Sequence, residues 1–169
     1  MQLLVLRLDY RSSTTIESLQ RQLRQPNSKL ALQLPHIPLL AYQNTSPFQL
    51  KATFEPIAKQ AAVPSFHASD IGFSKEGARF YLQVQPEETL NELHSSLKLA
   101  GHEFSAASPG NPWQPRIPLI GQVPAPFWGP LFARLALEFS SLEGIGAALE
   151  CWTVIGHRTS IEWSIFLDS

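Results

Sequence analysis

The sequence predicts an α+β fold of two lobes related by a pseudo-twofold, each a mostly antiparallel sheet with flanking helices. Three observations carry this reading. A hexamer is written twice, "PHIPLL" at 35–40 and "PRIPLI" at 115–120, each time with a proline inside an apolar run that otherwise reads as a strand. Strand-like and helix-like segments follow one another in a similar series around each copy. Fourteen prolines are spread along the 169 residues without a low-complexity tract or linker, so the chain, 1–169, reads as a single domain built from two internal repeats.

Residues 1–10 alternate, with Leu4, Leu6 and Leu8 opposite Leu3, Val5 and Arg7, as in a strand with one well-buried face. Thr14 and Glu17 have capping-box spacing, and Ile16, Leu19 and Leu23 follow at helical intervals until Pro26. "KLALQLPHIPLLAY" is extended. Ser46-Pro47 opens a second helix carrying Leu50, Phe54 and Ile57, with a kink expected at Pro56. "SFHASDIGF" and "ARFYLQVQ", separated by "SKEG", form a hairpin. Pro86, Glu87 and Glu88 start a helix with Leu90, Leu93 and Leu97 as its buried stripe, ended by Gly101. After the loop "SAASPGNPWQ" and the second hexamer come a helix bearing Phe127, Leu131, Leu135 and Phe139 and a terminal hairpin, "ALECWTVI" and "SIEWSIFL" around "GHRT".

Composition narrows the function. Apolar residues make up 44% and charged residues 16%, as in a globular domain, and no run reaches the roughly 18 apolar residues of a spanning helix. The apolar start contains Arg7 and Asp9 and reads as a strand rather than a leader, so a cytoplasmic location is expected, with no membrane partner. A net charge of −1 gives no footprint for extended nucleic-acid binding, so phosphate binding must be local. Cys151 is the single cysteine, which excludes an internal disulfide and a thiolate cluster. No cofactor motif and no metal-ligand spacing is present.

Period-two geometry places His36 and Pro38 on one strand face and Ile37 and Leu39 on the other, and likewise Arg116 and Pro118 against Ile117 and Leu119. If the repeats pack side by side, the hexamers become neighbouring central strands, and His36 faces Arg116 across a cleft.

Element order, the paired hexamers, the "DIGFSKEGARFYLQVQPEETLNELHSSL" stretch and the closing hairpin together resemble the 2H phosphoesterase superfamily, the 2′,5′ RNA ligase-like proteins and cyclic phosphodiesterases. The resemblance spans the chain. It implies two His-x-Thr/Ser-x motifs, one on a central strand of each lobe. One histidine takes the proton of the attacking hydroxyl, the other protonates the leaving oxygen, and the two hydroxyl residues hold the phosphate. Those places fall on His36, Pro38, Arg116 and Pro118, so three of four are replaced. Arginine, with a pKa above ~12, cannot exchange a proton at neutral pH, and proline has neither hydroxyl nor N–H. Losing one proton-transfer group costs about 10²–10⁴ in rate.

The expectation is therefore a degenerate, catalytically impaired relative that binds a small phosphorylated ligand, a nucleotide or an RNA end. Arg116 is its anion fork and His36 a hydrogen-bond donor, with Arg7 as a third candidate. Against it stand an enzyme using His36 as sole histidine, a protein-interaction module built on Trp113, Trp128 and Trp163, and a purely structural role in which Arg116 pairs with an acid. The other histidines read as structural: His157 in a literal "HRTS" at a hairpin turn, His94 on a helix face, His67 near Asp70 without a third ligand, and His102 after a helix end.

Overall fold

The computed structural model describes residues 1–24, 31–108, 110 and 112–168. Its elements are β1 (Gln2–Leu8), α1 (Tyr10–Arg24), β2 (Ala31–Leu32), β3 (His36–Tyr42), α2 (Pro47–Gln60), β4 (Ser65–Ser74) and β5 (Arg79–Pro86). They continue with α3 (Glu88–Ala100), β6 (Arg116–Gly121), a 3₁₀ turn (Ala125–Phe127), α4 (Trp128–Glu138), β7 (Leu142–Ile155) and β8 (Arg158–Phe166). Pro26, the expected helix stop, lies outside the described residues.

The strand order is β2-β6-β5-β4-β7-β1-β3, with β8 off this path, paired to the later part of the long β7. Apart from β2 and β8 this order is a palindrome, in which β1 corresponds to β5, β3 to β6 and β7 to β4. Register follows the same symmetry. Arg7 opposes His36 as Gln83 opposes Arg116, and Val5 opposes Pro38 as Tyr81 opposes Pro118. Beyond them, Val5 opposes Glu150 and Tyr81 opposes Gly72. At the centre of the palindrome Phe66 opposes Gly144. The half-sheets are thus related by a pseudo-twofold, and each takes one strand from the other repeat.

The hexamer prolines have a structural consequence. Lacking an N–H, neither can complete its ladder, and in both hexamers the register slips at the next residue, Leu39 or Leu119. Each bulged carbonyl is satisfied by a helix of the opposite repeat: Gln20 Nε2 of α1 donates to Leu119 O at 2.8 Å, and the His94 ring of α3 donates to Leu39 O.

One apolar core unites the lobes. Leu4, Leu6, Leu8, Ile37 and Leu39 of the first join Phe80, Leu82, Ile117 and Leu119 of the second, beneath Ile16, Leu50, Leu93 and Leu135 from the four helices. Each such side chain is worth about 1.5–3 kcal/mol when fully buried. The hexamer alternation thereby assigns faces: Ile37, Leu39, Ile117 and Leu119 point to the helices, while His36, Pro38, Arg116 and Pro118 share the helix-free face.

One local expectation needs correction. The cap of α1 is Asp9, whose Oδ1 accepts from Ser12 N at 2.9 Å, so the helix starts before Thr14, and Thr14 Oγ1 donates back to Tyr10 O inside it. Pro56 sits within a helix that continues to Gln60. Ser46 does cap α2, accepting from Phe48 N at 3.2 Å. Cys151 is buried, and burial, with the Glu162 charge, pushes its thiol up to about 12.

Candidate functional site

His36 and Arg116 each open a strand, but those strands are not paired neighbours. Among the described residues β3 ladders only with β1, and β6 with β5 and β2, so the hexamers stand near opposite ends of the strand path. The repeats exchange their β4 and β7 strands in the middle, which drives the hexamers outward. The sheet then curls until β3 and β6 come back into contact without a ladder between them. Trp113, just before β6, closes that seam: its Nε1 donates to Pro38 O at 3.0 Å, and its ring stacks on His94 with centroids 3.8 Å apart.

The two halves of the helix-free face have different chemistry. In lobe one, His36 is 3% exposed, with Nδ1 donating to Leu34 O at 2.5 Å and the Trp152 ring 4.5 Å away between centroids. Burial pushes its pKa down to about 4, so the ring is neutral at pH 7. Arg7, beside it on β1, is not a free cation: its Nη1 lies 3.2 Å from Glu150 Oε1, and its guanidinium lies 5.3 Å from the Phe166 ring centroid. Glu150, only 1% exposed, also accepts from Trp152 Nε1 at 2.9 Å and Ser164 Oγ at 3.0 Å.

In lobe two, Arg116 is half-buried and has no carboxylate partner among the described residues. Its Nη2 donates to Gln114 Oε1 at 3.0 Å, and its guanidinium lies over the Tyr81 ring at 4.4 Å from the centroid. Pairing of Arg116 with an acid is thus replaced by a cation–π contact and an amide. Tyr81 occupies this place because of Gly72 opposite it: a Cβ there would fall 2.1 Å from Tyr81 Cε2. Gln83 and Asp70 continue the polar surface on the same face, both exposed. This glycine–tyrosine–arginine stack was missed in sequence because its members lie on three strands. Its trace is the glycine inside "SFHASDIGF", where a strand interior disfavours one unless something packs close.

The remaining candidates fall elsewhere. The three tryptophans offered as an interaction surface are engaged within the fold: Trp163 is 8% exposed and bonds Pro47 O, Trp128 bonds Val123 O, and Trp113 is described above. His157 is in an exposed turn, and His102 Nδ1 bonds Leu99 O at 2.8 Å. His94 is 8% exposed and, mainly through burial, lowered to about 4. Among the described residues no group of three or more His, Cys, Asp or Glu could hold a metal ion, and no helix is long and apolar enough to cross a membrane. Two surface depressions, of about 730 and 320 Å³, lie along α3 and are lined by Glu88 or Glu92 rather than by cations.

No protein-family model matches the chain, and no curated protein matches it in sequence. Solved structures do match over nearly the whole length. The Thermus thermophilus protein TT0787 superimposes with a TM-score of 0.73 at 13% identity, covering 98% of this chain and 97% of that one. Escherichia coli LigT complexed with 3′-AMP gives 0.64 at 16% identity, covering 99% and 98%. Kluyveromyces marxianus Usb1 with uridine monophosphate gives 0.51 at 10% identity, covering 98% and 97%. At such identities the likeness is one of fold.

Proposed function

From a chain with the 2H phosphoesterase fold, we propose a catalytically silent protein that binds a small phosphorylated ligand, a nucleotide or an RNA end, through Arg116. The observation that carries the reading is the difference between Arg7 and Arg116 on the helix-free face. Arg7 is neutralised by a buried carboxylate, whereas Arg116 is held over Tyr81 with no carboxylate of the described residues against it. An arginine stacked through its face keeps N–H groups at its edge for a phosphate oxygen. Gln114, already bonded to Arg116, fixes the fork's direction.

Turnover would need two proton carriers on this face. His36 offers one basic nitrogen, Nε2, since Nδ1–H is spent on Leu34 O, and Trp152 lies against its ring. Arg116 offers none. Pro38 and Pro118 supply no hydroxyl to hold the phosphate. LigT has been crystallised with 3′-AMP and with ATP, and Usb1 with uridine monophosphate, which makes mononucleotides the first ligands to try.

The test is titration calorimetry with 3′-AMP at low salt, alongside a hydrolysis assay on 2′,3′-cyclic nucleotides. Binding by the native chain, weakened about 10–100-fold in Arg116→Ala, with hydrolysis at background, is the expected outcome. A flat titration, unchanged by Arg116→Ala, removes the ligand reading. Hydrolysis abolished by His36→Ala establishes a one-histidine enzyme instead.

A further inference from the structure

We propose that Glu150 is a resident anion: its carboxylate fills a latent anion site around Arg7, the lobe-one counterpart of the Arg116 surface, so external ligands meet only lobe two. The register makes the comparison direct. Val5 lies between Pro38 and Glu150 as Tyr81 lies between Pro118 and Gly72, so Glu150 and Gly72 hold corresponding places. Each half-sheet has an arginine beside the compared place on its helix-free face, Arg7 on β1 and Arg116 on β6, with the exposed Arg79 further along β5 in the second. In lobe two the corresponding place is a glycine, the tyrosine ring lies over it, and the arginine has no carboxylate partner among the described residues. In lobe one the neighbour is valine, the place carries a glutamate, and the arginine is neutralised.

The surroundings of Glu150 are those of a bound oxyanion. Three donors converge on its two oxygens: Arg7 Nη1 and Ser164 Oγ on Oε1, and Trp152 Nε1 on Oε2. All belong to β1, β7 and β8 of one half-sheet. A carboxylate 1% exposed is costly to bury unless donors of this kind surround it. Removing the side chain while keeping the donors leaves a cation and two N–H or O–H groups around a vacated volume, into which a small carboxylate or oxyanion fits.

Chemical rescue tests this in an Arg116→Ala background, so that anion binding in lobe two cannot contribute and failure of the ligand reading leaves the result readable. Melting temperature is measured in sodium acetate, sodium phosphate and, at matched ionic strength, sodium chloride. The Arg116→Ala parent is expected to respond alike to all three. Adding Glu150→Ala is expected to lower the melting temperature by roughly 10 °C. Acetate or phosphate then restores about 5–10 °C with saturation, where chloride does not. Adding Arg7→Ala as well abolishes the difference between anions. If the Glu150→Ala chain does not fold in chloride, refolding yield in acetate against chloride replaces melting, with recovery expected only in acetate or phosphate. Equal behaviour in the three salts, or equal rescue with and without Arg7, overturns the proposal.

Discussion

Gly72 and Tyr81 face each other across the β4–β5 ladder, and the space a Cβ would take on the first is filled by the ring of the second. Arg116 rests on that ring, so the glycine sets where the guanidinium lies although the two do not touch. Gly72→Ala is expected to displace Tyr81, to cost about 1–3 kcal/mol as an overpacked contact, and to weaken 3′-AMP binding while the fold survives. Tyr81→Phe keeps the ring and should keep the affinity. Urea denaturation and titration calorimetry read the two effects separately.

Acid should loosen the molecule well above the carboxylate range. His36 and His94 are both lowered to about 4 by burial, so the unfolded chain, with ordinary histidines, binds more protons than the folded one between about pH 6.5 and 4. Their contribution to stability is complete above pH 6.5 and is lost as the pH falls toward 4, to the extent of a few kcal/mol for each histidine. Denaturation midpoints at pH 7 and 4.5 should differ accordingly, and His94→Gln should reduce the difference.

Asp9 joins two tasks. It caps α1 through Ser12 and accepts from Ile145 N at 3.0 Å, tying the helix start to β7. Burial works against its charge, but the Ser12 and Ile145 hydrogen bonds outweigh it and hold the carboxyl below its usual value. Asp9→Ala is expected to cost about 2 kcal/mol in chemical denaturation and to leave ligand affinity unchanged.

Gln20 should matter more than a helix glutamine usually does. It is 2% exposed and donates to the carbonyls of both Gln33 and Leu119, across the boundary between the repeats. Gln20→Leu keeps the bulk but leaves buried carbonyls without that donor, at an expected cost of about 1–3 kcal/mol. Faster hydrogen exchange along β6 would locate the loss.

The repeated hexamer was enough to predict the two lobes, and period two was enough to place His36 and Arg116 on one face and Ile37 and Ile117 on the other. Pairing was less legible. Alternation says which way a side chain points, but not which strand lies alongside, so the exchange of β4 and β7 was invisible and the hexamers were expected as neighbours. Thr14 and Glu17 imitated a cap that Asp9 and Ser12 provide, since both pairs have the spacing and only the backbone distinguishes them. Glu150 leaves a trace of its own, a single charge inside the long apolar run "ALECWTVI". A charge at such a position needs a buried partner, and Arg7 lies far away in sequence.

Because β7 of the second repeat completes the first half-sheet and β4 of the first repeat flanks the second, neither half of the chain carries all the strands of its own sheet. The link between the repeats is the tight turn at 75–78, where β4 passes into β5. A cut there would leave two fragments, each exposing apolar surface that only the other covers, and they should reassemble when mixed rather than fold alone. A half-length chain with the same pattern would be an obligate homodimer with two identical sites. Fusion through a hairpin turn frees those sites to diverge, and Glu150 in one with Gly72 in the other is what such divergence looks like.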